Sequence, residues 1–157
     1  MTLPEPTLQS SQPLLIAGLQ SHFTPATIPD IPKLWQRFVP HLGKIPTQVG
    51  FVTYGVVLDS NESGIPGCDY MAGVEVTDAS HLPAGFTTVS LPAQKYFVFP
   101  HNGHVSEIPQ LTAAIMRDWI PFHRAEVAHS PTMLEIYGAD FNPQTGRGGM
   151  QLWLPAR

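Results

Sequence analysis

Two segments of this chain repeat each other, and that repetition limits the folds open to it. "IPKLWQRFVP" at 31–40 and "IPQLTAAIMRDWIP" at 108–121 both begin Ile-Pro-x-Leu and both end aromatic-aliphatic-Pro. The second is longer by about one helical turn. In the first, Ile31, Leu34, Trp35, Phe38 and Val39 fall at helical spacing; in the second, Ile108, Leu111, Ile115 and Trp119 share a stripe. Both therefore predict amphipathic helices. Proline is tolerated near each start because a first-turn N–H has no helical partner. Asp30 is the expected N-cap of the first helix, and Ser106 or Glu107 that of the second. Pro40 and Pro121 stop them.

The repetition extends to the flanks. "PLLIAGLQ" (13–20) and "QKYFVFP" (94–100) read as strands before the helices. "VTYG" (52–55) and "EIYG" (135–138) follow them, and then "GVEV" (73–76) and "GMQL" (149–152). Each half reads strand, helix, strand, strand. The expectation is one α+β domain over 1–157, with halves of about 6–80 and 85–157. Packed together, the halves form one curved antiparallel sheet carrying two helices, with a ligand crevice between them.

Within this pattern Glu135 stands out. It lies in the middle of the apolar stretch "TMLEIYG" (132–138). Period-2 geometry puts Met133, Glu135 and Tyr137 on one face. Aligning the two Tyr-Gly pairs sets Glu135 against Val52 and Tyr137 against Tyr54. Burying an unpaired carboxylate costs several kcal/mol (roughly) and raises its pKa. Tyrosine hydroxyls, a bound cation, a lysine or arginine, or solvent at a sheet edge would each offset that cost. A carboxylate among aromatic rings suits a bulky organic cation. Tyr54, Tyr137, Trp119, Trp35 and Phe97 are the candidate walls, against core packing as the alternative. Phe51 and Phe97 are strand aromatics of unassigned facing, and Trp153, in the last strand, is read as covering an edge.

Bulk properties exclude several classes. Charged residues are only 13% of the 157, the net charge is −4, and no basic run suits nucleic acid. The single cysteine, Cys68, forms no intrachain disulfide and fits a reducing cytoplasm. No signal peptide or membrane span is read. The 17 prolines punctuate short elements. No metal or cofactor is expected: His101 and His104 lack further ligands, and His22, His41, His81, His123 and His129 show no ligand spacing. Cys68 lacks a histidine partner in sequence. No P-loop, dinucleotide or nucleophile-elbow motif occurs. "TGRGG" (145–149) reads as a hairpin between the last strands, and Glu75 as solvent-facing.

In order, "YGVVLDS", "YMAGVEV", "LPAQKYFVFPHNG", "IPQLTAAIMRDWIP" and "PTMLEIYG" resemble the GyrI-like small-molecule-binding domain, the AraC-type effector-binding domain, over nearly the whole chain. The resemblance implies the duplicated fold and binding of amphipathic, often cationic, drugs and dyes. It makes Glu135 the counter-ion. It also implies a stand-alone module, because the first strand begins too early for a preceding helix-turn-helix. Two rival functions use the same surface: hydrolysis of electrophilic small molecules through Glu135, and a protein-interaction role beside gyrase or a transcription regulator.

Overall fold

The computed structural model describes residues 3–59, 67–128 and 132–157. His129 lies outside the described residues. The element order is β1 (Thr7–Ser11), β2 (Leu14–Phe23), α1 (Ile31–Phe38), β3 (Gln48–Asp59), β4 (Cys68–Val76), then β5 (Thr87–Leu91), β6 (Gln94–His101), α2 (Ile108–Ala114), β7 (Met133–Tyr137) and β8 (Met150–Pro155). All eight strands join one antiparallel sheet in the order β1-β6-β8-β7-β3-β4-β2-β5. That order reads the same from either edge when each strand is exchanged for its counterpart in the other half. The duplication is therefore structural, and each half opens with one more short strand than its sequence signals. β1 ("TLQSS") and β5 ("TTVSL") are polar, mostly exposed edges that lack a strong apolar alternation.

These edge strands are exchanged between halves. β1 pairs with β6 of the second half, and β5 pairs with β2 of the first. Only two residues separate β1 from β2, and two separate β5 from β6. In each case the linked strands lie six strand spacings apart in the sheet, about 29 Å if it were flat. Three Cα–Cα steps reach about 11 Å. The short links therefore force the sheet to curl into a half-barrel.

Curling creates two different faces. One is filled by Ile16, Val56, Met71, Leu91, Tyr96, Val98, Leu134 and Ile136, drawn from strands across the whole sheet. The other carries both helices. Leu34 and Phe38 of α1 pack with Ala17, Leu19, Tyr70, Ala72 and Val74; Ile108 and Leu111 of α2 pack with Phe99, Met133, Tyr137 and Leu152. Trp35 and Val57 touch both of these cores.

The helices end where the prolines predicted. Pro40 and Pro121 each sit in a 3-10 turn that closes its helix. The added length of the second helix is a π-helical turn, Ile115–Trp119. Asp30 and Glu107 occupy the expected N-cap positions of α1 and α2, but neither makes a side-chain cap bond there. Before α2 a 3-10 turn intervenes, and His104 caps it: its ring accepts from Ser106 N, while Glu107 Oε1 accepts from His104 N at 2.7 Å. His101 Nε2 lies 2.9 Å from the His104 carbonyl, so this histidine pair holds a turn. The glycine-rich hairpin is as expected: Gly146, Gly148 and Gly149 have positive φ, and Asn142 bridges Arg147. No helix of the described residues is long and apolar enough to cross a membrane.

Phe38 has no exposed surface, whereas Phe122 is 81% exposed. Phe38→Ala is expected to cost about 3–5 kcal/mol and Phe122→Ala to stay within about 0.5 kcal/mol. Urea denaturation of both variants checks this contrast.

Candidate functional site

The strand registers locate the internal symmetry residue by residue. In the first half Gly55 pairs with Ala72, and Ala72 with Leu19. In the second, Glu135 pairs with Leu152, and Leu152 with Phe99, every member 80 positions later. Across the junction of the halves, Gly55 pairs directly with Glu135. The pseudo-two-fold axis thus runs through this pair, with glutamate on one side of it and a bare backbone on the other.

This register corrects the alignment of the Tyr-Gly pairs. Tyr54 and Tyr137 are 83 positions apart, three more than the spacing that superposes the strands. An odd shift sends a side chain to the opposite face. The counterpart of Tyr137 is Val57, and that of Glu135 is Gly55, not Val52. Tyr54 pairs with Ile136 and packs in the barrel-side core, away from Glu135. Burial there raises its hydroxyl pKa, and Glu75 adds to the rise. Glu75 is accordingly only partly exposed, beside Tyr54 rather than free in solvent.

The vacancy at Gly55 is used by a residue that sequence reasoning missed. Tyr70 of β4 extends its ring past Gly55, and its hydroxyl donates to Glu135 Oε1 at 2.6 Å. A Cβ on residue 55 would strike that hydroxyl and stand 2.6 Å from Glu135 Oε1. The usable signal was the glycine inside "VTYGVVL": a glycine in a strand interior often marks close approach by another group. Tyr137 donates to the same oxygen at 2.8 Å. Trp35, reaching from α1, donates through Nε1 to the Tyr70 oxygen at 3.0 Å. That bond leaves the Tyr70 proton directed at the carboxylate. Trp35 stands edge-on to Tyr137, with centroids 5.4 Å apart, and to Tyr70 at 6.5 Å.

Glu135 is partly buried, and desolvation raises its pKa above the ordinary carboxylate value. The Tyr70 and Tyr137 hydrogen bonds oppose that rise. Both tyrosines titrate well above 10.0, first because of burial and next because of the Glu135 charge. They therefore remain donors at neutral pH. Among the described residues no cation pairs with Glu135: the ion pairs are His22–Asp69, Lys33–Asp30 and Arg117–Asp118. Oε2 accepts no hydrogen bond from any described residue. It is also not a sealed atom, since no described buried polar atom lacks a partner.

The other candidates divide. Tyr137 joins Glu135 directly, and Trp35 reaches it through Tyr70. Trp119 and Phe97 share the helix-covered face but form a second aromatic group, with rings 4.9 Å apart. Trp119 also meets Phe99 at 5.2 Å and stacks on His123 at 3.9 Å. A separate cavity of about 220 Å3 lies by Pro4, Pro100, His101, Asn102, Gly103, Glu107 and Leu111. Among the described residues no three His, Cys, Asp or Glu side chains group as a metal site.

Comparison with known proteins fits this architecture. The sequence matches the family model of the GyrI-like small molecule binding domain over residues 4–157. The chain belongs to the GyrI-like family. This GyrI-like domain is 32% identical over 101 residues to the transcriptional regulator BrlR of Pseudomonas aeruginosa. That match takes in 64% of this chain and 36% of the regulator's length. Among solved structures, SAV2435 bound to tetraphenylphosphonium superposes with a TM-score of 0.78 at 20% identity, covering 98% of this chain and 94% of that one. An integron cassette protein from Vibrio cholerae superposes with a TM-score of 0.66 at 15% identity, covering 99% and 97%. These likenesses establish the fold. The family establishes small-molecule binding.

The raised pKa has a consequence for stability. The folded state holds the Glu135 proton to higher pH than the unfolded chain does. Stability is therefore lost as pH climbs from the ordinary carboxylate value through the raised one. Glu135→Gln is expected to unfold at higher temperature than wild type at pH 7, with the gap closing as pH falls through that interval. Thermal melts across pH measure it.

Proposed function

We propose that this domain binds amphipathic organic cations, with Glu135 as the counter-ion and Trp35, Tyr70 and Tyr137 as the aromatic walls. The observation that carries this reading is a carboxylate fixed by two hydroxyls at one oxygen, with no protein cation paired to it among the described residues. Tyrosine hydroxyls orient a carboxylate and spread its charge, but they leave it net negative. A ligand cation completes the neutralisation. Facing aromatic rings add roughly 0.5–2 kcal/mol each through their quadrupoles.

Trp119 and Phe97 extend the apolar surface on the α2 side of the same face. Apolar burial supplies affinity at about 25 cal/mol per Å2, while the carboxylate selects the sign of charge. Burial and ring contact are weakly directional, so ligands of varied outline are accommodated. The cation held by SAV2435 supports the choice of probe.

Tetraphenylphosphonium and tetraphenylborate share a shape and differ in sign. Fluorescence titration is expected to show wild type binding the phosphonium and discriminating against the borate. Glu135→Gln should weaken the phosphonium by about tenfold, equivalent to 1.4 kcal/mol, without weakening the borate. Equal loss for both ions, or no loss for either, would remove Glu135 from the counter-ion role.

A further inference from the structure

The two oxygens of Glu135 are not equivalent. Tyr70 and Tyr137 both donate to Oε1, at 2.6 and 2.8 Å, which fills its lone pairs. Oε2 receives no donor from the described residues and is not sealed from its surroundings. Gly55 enforces this division, because the Tyr70 hydroxyl reaches Oε1 only across a residue without a Cβ. Trp35 enforces it again by donating to the Tyr70 oxygen, which leaves the Tyr70 proton for the carboxylate.

We infer that Oε2 is the ligand's hydrogen-bond acceptor, and that the site prefers cations bearing an N–H on the charged group over fully quaternary cations of the same shape. The inference rests on the cation-binding reading and names the class within it. A ligand that covers Oε2 strips its water. A protonated amine or iminium replaces that water with a charge-assisted hydrogen bond. A quaternary cation has no donor and leaves the oxygen desolvated without a partner, which is the costly outcome. Both classes gain the same attraction of charge and rings, so the N–H alone separates them.

The tyrosines also dictate what Glu135→Gln does. Two hydroxyl donors at the Oε1 position demand an acceptor, so the amide carbonyl turns towards them. The amide NH2 then occupies the Oε2 position and presents donors to the ligand. An N–H ligand meets a donor there, and its advantage disappears.

The test compares protonated acridine orange with its 10-methyl quaternary derivative. Both are fluorescent cations at pH 7, and they differ by a methyl in place of the ring N–H. Wild type is expected to bind the protonated dye about tenfold more tightly, the size of one charge-assisted hydrogen bond. In Glu135→Gln the difference should vanish or reverse. Equal wild-type affinities, with both dyes weakened by Glu135→Gln, would overturn the N–H preference and leave cation binding standing. Failure of Glu135→Gln to weaken either dye would overturn both. A preference for the protonated dye that persists unchanged in Glu135→Gln would place its acceptor elsewhere and sink the assignment of Oε2.

Discussion

The helix-covered face is organised around one close approach, that of a strand glycine to a strand carboxylate across the junction of the halves. Gly55 and Glu135 are register partners and symmetry counterparts at once. A symmetric pair of glutamates would set two negative charges side by side on neighbouring strands, which is destabilising. A pair of glycines would leave nothing for the tyrosines to hold. Having one of each gives a single charge on the axis, with room for a ring from the neighbouring strand to reach it.

The half-barrel makes that arrangement stable. Because β1 and β5 are exchanged between halves through two-residue links, neither half closes its own sheet edge. Curling gives the barrel side a shared apolar core, and it leaves both helices on the other side. Trp35 belongs to both helix-side cores and donates to Tyr70, so packing of α1 is coupled to the orientation of the carboxylate. The polar chain from indole to hydroxyl to carboxylate has its described donors matched to acceptors, as a partly buried network requires.

Much of this was legible in the sequence, for physical reasons. The helices carry a 3.6-residue apolar period ended by proline, and the long strands carry apolar runs. Glu135 was conspicuous because a carboxylate in an apolar strand is expensive. The short strands β1 and β5 were not legible, since polar edges have little apolar alternation. Register was the other blind spot. The repeated Tyr-Gly pairs invited a three-residue error, and an odd error exchanges faces. It placed Tyr54 beside Glu135 and hid Tyr70, whose approach depends on Gly55. The charge was legible from residue type alone, but the rings around it depend on register.

The most direct test is a crystal structure of the domain grown with tetraphenylphosphonium. The cation centre is expected within about 6 Å of Glu135, the range at which opposite charges perturb one another strongly. Oε1 should still be held by Tyr70 and Tyr137, with Oε2 turned to the ligand. A cation seated instead in the cavity beside Pro100, His101 and Glu107, with Glu135 untouched, would contradict this placement.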